Sequence, residues 1–173
     1  MSAGTGGGVD VEMRPMRPED EPEAVEVSSA ADTLFAEAGL ILPPDDPREL
    51  FAHAEHTLVA IDPAAGRVRG LAATVTVDGC PHLEQLAVDP AHGRRGIGSA
   101  LLEEVCSRAR AAGHDAVTLT TFRDLAWNGP WYGQRGFDVL PRAVWGPGLT
   151  RLWGLETAIR VAPRVVMVRV LAG

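Results

Sequence analysis

The chain contains no lysine: all sixteen of its basic residues are arginine. That absence excludes any lysine-based mechanism, and it reads as the codon composition of a GC-rich genome rather than as chemistry. Cysteine is scarce as well. Cys80 and Cys106 are too few, and too unpatterned in spacing, for a disulfide framework or a zinc site, and both are expected to be free thiols in or near the core. No stretch resembles a signal peptide or a membrane span, so a reducing, cytoplasmic setting is expected. Positive charge is in deficit: a formal net charge of −7 argues against nucleic acid or an anionic membrane as partner and is compatible with a cationic substrate. There is no internal repeat.

What is present fits one compact domain, since 173 residues with 46% hydrophobic composition can bury a real core. MSAGTGGGVD, residues 1–10, is glycine-rich and aperiodic and is expected to be a flexible tail before a single domain over 11–173. VEMRPMR (Val11–Arg17) alternates like a strand, and Pro15 pushes it to a sheet edge. Val27, Ala31, Leu34, Phe35 and Ala38 fall at helical spacing with Gly39 as the stop, and Asp46 with Glu49 opens a second, shorter helix. HTLVAID (His56–Asp62), RVRGLAATVTV (Arg67–Val77) and HLEQLAV (His82–Val88) read as an antiparallel meander.

A helix over Ser99–Ala112 followed by the strand AVTLTTF (Ala116–Phe122) implies a right-handed parallel crossover. A short helix near Pro130–Gln134 and a further helix carrying Leu149, Leu152, Trp153 and Ile159 precede a last strand, Arg164–Leu171. The class is therefore α/β with a mixed sheet.

The most informative stretch is VDPAHGRRGIGSALLEEV (Val88–Val105). A strand ending in a glycine-rich turn that opens a helix gathers backbone N–H groups around an anion. Gly93, Gly96 and Gly98 read GxxGxG, the reverse of the dinucleotide fingerprint, and no GK[ST] follows, so both common nucleotide cradles are excluded. A turn built only for close strand–helix packing is the alternative, but Arg94 and Arg95, which offer guanidinium groups to phosphate, favour an anion site.

LAVDPAHGRRGIGSALL resembles the acetyl-CoA-binding signature of the GNAT superfamily of N-acetyltransferases, and the match continues in order to YGQRGF. The resemblance implies a mixed, mostly antiparallel sheet with helices on both faces and one parallel strand–helix–strand crossover at the cofactor site. It implies acetyl-CoA as co-substrate, its pyrophosphate held at Gly93, Arg94, Arg95, Gly96, Ile97, Gly98 and Ser99. Its pantetheine arm would pair with backbone at Leu86, Ala87 and Val88, where a strand N–H meets the thioester carbonyl. Gly93 stands where the family usually has Gln or Arg, a departure that loses one side chain but keeps the amide cradle. A second departure is Leu125, where the family often has asparagine; Asn128 either caps the short helix or reaches the arm.

Acyl transfer to an amine needs two proton movements. Tyr132, the chain's one tyrosine, matches the family's thiolate-protonating position, and it also joins the cofactor contacts. Glu84 is the first choice of base, with ordered water or His82 in reserve. Phe35, Asp45, Asp46, Trp145 and Trp153 are candidates for the acceptor site, although tryptophans at helical spacing are more often core. The leading expectation is an N-acetyltransferase acting on a primary amine of a small cationic molecule by direct attack in a ternary complex. Its rivals are a protein or peptide amine acetyltransferase and a CoA-binding sensor without turnover. The expected partner is a small-molecule amine, not nucleic acid or membrane, with homodimer formation left open.

Overall fold

The computed structural model describes residues 9–172. Most of the expected tail lies outside them; Val9, at its end, packs against the core. The elements run β1 (Glu12–Pro15), α1 (Glu21–Glu37), α2 (Pro47–His53), β2 (His56–Asp62), β3 (Arg67–Val77), β4 (Cys80–Val88), α3 (Ile97–Ala111), β5 (Ala116–Phe122), α4 (Gly129–Gly133), β6 (Asp138–Val139), α5 (Pro147–Leu155) and β7 (Arg164–Val170). They form a seven-stranded sheet in the order β1-β2-β3-β4-β5-β7-β6. Every pairing is antiparallel except β4 with β5, so the mixed sheet and its single parallel crossover through α3 are as expected.

Alternation along the strands feeds two cores. Leu58, Ala60, Ala72 and Leu83 meet Leu101, Leu102, Val105, Cys106 and Ala109 of α3 on one face. Val59, Ile61, Leu71 and Ala87 meet Ala24 and Val27 of α1 and Phe51 of α2 on the other. Helices therefore cover both faces, and β1, with Pro15 at its end, is an edge. Cys106 is buried and Cys80 half-buried, both free. No helix among the described residues is long and apolar enough to cross a membrane.

Four local features depart from the sequence reading. The helix expected to carry Ile159 with Leu149, Leu152 and Trp153 ends at Leu155, and Ile159 lies in a separate 3-10 turn. The helix expected from Ser99 begins at Ile97, because Gly96 takes a left-handed backbone (φ +83°) and turns the chain directly into it. The two-residue strand β6 pairs with β7 at Asp138–Val168 and Val139–Met167 and is too short to carry a periodic signal. In β4, Gln85 opposes Ala73 while Leu83 opposes Thr74, so Glu84 is an extra residue, a bulge.

That bulge resets the strand's faces. Regular alternation along HLEQLAV would put Glu84 on one face with Leu86 and Val88. Instead its carboxylate bonds His53 of α2, and its neighbour Gln85 bonds Ser28 of α1, while Leu83 and Leu86 both pack toward α3.

Candidate active site

β4 and β5 pair at only two register positions, His82 with Thr118 and Leu83 with Leu119, and then separate. Beyond the fork, the β5-facing side of β4 has no strand to bond among the described residues. Asp89 N–H donates to Arg69 O on β3 at 2.8 Å, and peptide groups alternate sides along a strand. Ala87 therefore also turns its peptide groups to β3, and Leu86 and Val88 present theirs to the opening. Of the three residues expected to meet an extended arm, Ala87 is engaged elsewhere.

The fork leads to the glycine turn. The Asp89 carboxylate accepts from Ala91 N–H and fixes a 3-10 turn at Pro90–His92. The chain then reverses through Arg94 (φ 59°) and Gly96, both left-handed, into α3. Ala100 N–H reaches back to Gly96 O at 3.0 Å, which leaves the amides of Ile97, Gly98 and Ser99 without helical partners and pointing out of the helix end. Gly93 has ordinary backbone angles (φ −63°, ψ 162°), so its conformation demands no glycine where the family's side chain is missing, but a Cβ there would lie 3.3 Å from Pro90 O, a tight contact. Arg94 lines the cleft with these glycines, while Arg95 is exposed and not among the lining residues.

Arg135 was not anticipated at this site. Its guanidinium stacks on Trp131 at 3.8 Å from the ring centre and donates to Ser99 Oγ at 2.9 Å, which sets a fixed positive charge beside the α3 N-terminus. The i, i+4 spacing of Trp131 and Arg135 was the available signal.

α4 presents Tyr132. Its ring meets Trp131 and Phe137 edge to face, with centres 5.0 and 5.6 Å apart, and it lines the cleft. Burial pushes the phenol well above its usual range, so the hydroxyl stays protonated and can donate. Asn128 does not cap α4 through its side chain: its Oδ1 accepts from Thr121 Oγ1 at 2.7 Å and from Phe122 N–H at 3.4 Å, tying α4 to the end of β5. Gly129 sits so close that a Cβ would lie 2.6 Å from Arg123 O.

His82 lies outside this arrangement. It is 1% exposed, its Nδ1 is 2.9 Å from Thr118 Oγ1, and burial pulls its pKa down to about 4. As a neutral imidazole it braces the β4–β5 pair one step before the last, and it does not line the cleft.

The cleft continues past Glu84 into a second region walled by α1, α2 and the segment after α5. Its volume, about 1600 Å³ in all, leaves room for a long co-substrate and a second molecule together. Asp32, Asp45, Asp46, Glu49, Glu84 and Glu156 line this end, against Arg164 and His53. Burial, and then the charge of Asp45, raises Asp32 to about 6.

Burial also raises Glu156, whose Oε2 has no hydrogen-bond partner among the described residues and lies 3.8 Å from Arg164. Phe35 lines the cleft and packs against Phe122 and Trp127 at 5.6 and 6.1 Å. Trp145 and Trp153 do not line it; they pack on each other, 5.2 Å apart. Asp78 holds α5 in place, accepting from Gly148 and Leu149 N–H at 2.7 and 2.9 Å.

The family described as acetyltransferase (GNAT) matches residues 16–137. Among solved structures, the chain is similar to N-acetylglutamate synthase from Neisseria gonorrhoeae complexed with coenzyme A and N-acetyl-glutamate (21% identity, 94% of this chain and 35% of that one, TM-score 0.73). It thus spans about a third of that protein's length. It is also similar to a GNAT-family acetyltransferase from Staphylococcus aureus (16% identity, 94% and 99% covered, TM-score 0.74). A third similar structure is the ribosomal-protein-S18-alanine N-acetyltransferase from Escherichia coli (18% identity, 94% and 95% covered, TM-score 0.68). At these identities the structural likenesses speak to the fold.

Proposed function

The chain belongs to the GNAT acetyltransferase family, and from that premise we propose that it moves the acetyl group of acetyl-CoA to a primary amine of a small cationic molecule, with both substrates bound. Residues 11–173 are read as one catalytic domain. The residues present fit acetyl-CoA: the side of β4 that is unpaired among the described residues suits an extended amide-bearing arm, and the amides of Ile97, Gly98 and Ser99, which have no helical partners, suit a pyrophosphate together with Arg94 and Arg135. The observation that carries the acceptor assignment is the acidic second region of the same cleft, directly beyond the fork.

Acetyl-CoA supplies a thioester whose carbonyl an amine can attack and whose thiolate can leave. The remaining work falls to the chain. An outward N–H of β4, from Leu86 or Val88, donates to the carbonyl oxygen as negative charge builds there; one such preorganised donor contributes about 3–4 kcal/mol in comparable sites. Glu84 takes the proton that the ammonium must lose before its lone pair can attack. Tyr132, which lines the cleft and as a phenol holds its proton at neutral pH, donates to the departing sulfur.

Titration of acetyl-CoA, followed through the tryptophan fluorescence that Trp131 at the cradle should report, tests the first half of this assignment. Absence of saturable binding at micromolar concentration would sink it. Thiol release across a panel of amines tests the second half. A peptide amine is the second reading, favoured by exposed apolar side chains at the cleft rim, Ile41 at 86% and Leu155 at 76% exposure. Faster turnover on short peptides than on polyamines or aminosugars would select it.

A further inference from the structure

His53 is the residue that the acetyl-transfer chemistry leaves unexplained. It closes α2, is 55% exposed at its side chain, and lines the cleft with its imidazole turned to Glu84. Its Nδ1 lies 2.9 Å from the carbonyl oxygen of Glu49 and its Nε2 lies 2.8 Å from Glu84 Oε2. A carbonyl can only accept, so Nδ1 carries a hydrogen. A neutral ring would then point the bare lone pair of Nε2 at a carboxylate, which is repulsive. At 2.8 Å one proton must lie between Nε2 and Oε2.

We propose that His53 and Glu84 act as one base: the pair without its shared proton is the active form, Glu84 touches the acceptor ammonium, and His53 stores the proton and returns it to solvent. This rests on the assignment of Glu84 as base. An ammonium N–H bond breaks, its proton passes to a Glu84 oxygen and comes to rest on His53 Nε2, and the nitrogen lone pair is left free to attack. The exposed ring then releases the proton to water before the next turnover. His53 is thus a positioning and proton-storing residue, and Glu84 the group that meets substrate.

The arrangement answers a mismatch in basicity. A lone carboxylate titrates near 4.3 and an alkylammonium near 10.4, whereas a catalytic base works best near ambient pH. Hydrogen bonding to Glu84, and then to Glu49 O, holds His53 above its ordinary 6.5. The surrounding charges do not replace Glu84 as its partner. Arg48, on the same helix, lies against Glu21 of α1 and Asp46. Glu55 turns to Thr76 of β3. Glu156 faces Glu84 from beyond α5, and Asp32 and Asp45 share the cleft wall with Glu49.

The test has two arms. Imidazole NMR on the free enzyme follows the titration of His53 in wild type and Glu84→Gln. The pair requires its midpoint to fall by at least one pH unit in the variant, and an unchanged midpoint overturns the coupling without any acceptor being needed. In the second arm, the pH dependence of kcat/KM is measured for wild type and His53→Gln on the best acceptor among cadaverine, spermidine, tyramine and glucosamine.

Gln keeps a donor to Glu84 but cannot take up a proton. The rising limb should therefore move toward acid by more than one pH unit and the plateau should fall about tenfold, with acetyl-CoA affinity unchanged. Superimposable profiles overturn the proposal. If acetyl-CoA binds but no acceptor turns over, the small-amine reading fails and the NMR arm alone decides the pair.

Discussion

Replacing Asp32 with asparagine should make the protein more stable and a worse catalyst for cationic amines. In the folded chain Asp32 is half-buried beside Asp45 and titrates near 6, against 3.8 for an unconstrained side chain. Between those two values the folded carboxyl keeps its proton while the unfolded one has lost it. Stability therefore falls as pH rises through that window and is flat above it. At 1.36 kcal/mol per pH unit the full difference is about 3 kcal/mol, and solvent around a half-buried carboxylate reduces it to about 1–2 kcal/mol.

Asp32→Asn removes this penalty. Its advantage in urea or thermal unfolding should be nil near pH 3.5, grow up to about pH 6.5, and then hold at about 2–8 °C in Tm for a domain of this size. Because Asp45 is one source of the penalty, Asp45→Asn should recover part of the gain, and the two changes together should yield less than their sum. In turnover, loss of one carboxylate from the acceptor region should raise KM for a diamine about three- to tenfold, with acetyl-CoA affinity unchanged. Equal stability of wild type and variant at pH 7.5 would refute the reasoning, since the carboxylate would then carry no burial cost. A KM that does not move would remove Asp32 from the acceptor site.

Tyr132→Phe deletes one hydroxyl and keeps the packing against Trp131 and Phe137, so kcat should fall about 10²-fold or more while acetyl-CoA titrations overlay those of wild type; unchanged turnover would dismiss the phenol as proton donor. Gly96→Ala places a Cβ at φ +83°, 2.9 Å from Val9 Cγ2, and should cost about 1–2 kcal/mol, read as a lower Tm together with weaker acetyl-CoA binding by fluorescence. Gly129→Ala pushes a Cβ to 2.6 Å from Arg123 O and 3.1 Å from Phe122 O. It should lower Tm by several degrees and kcat with it, because the backbone that carries Tyr132 must move; circular dichroism melts and steady-state rates check both.

Where local pattern decides the outcome, the sequence was readable to the residue. His56–Asp62, Arg67–Val77 and Ala116–Phe122 are strands with the bounds that alternation and flanking turns imply, and Asp46 caps α2 through its side chain, accepting from Arg48 N–H. The glycine turn was legible for the same reason, since a strand, a left-handed glycine and a helix must follow one another within a few residues. What could not be read are partnerships set by tertiary structure: Arg135 on Ser99, 36 residues apart, and His53 on Glu84, 31 apart.

The bulge at Glu84 shows how the backbone sets one such partnership. Strict alternation would send Glu84 to the α3 face with Leu86 and Val88, against the apolar side chains of Leu101 and Val105, where a carboxylate would have no partner. One extra residue in β4 instead turns Glu84 to the α2 face and His53, and leaves Leu86 to rejoin the core on the other face. The same irregularity sits one step past the last β4–β5 pair, Leu83 with Leu119, where the strands part. A single local defect in pairing thus lies where β4 both leaves its peptide groups unpaired among the described residues and turns its carboxylate to the acidic end of the cleft, the acceptor region proposed above. Deleting that residue to restore a regular strand should therefore abolish turnover even in a protein that still folds.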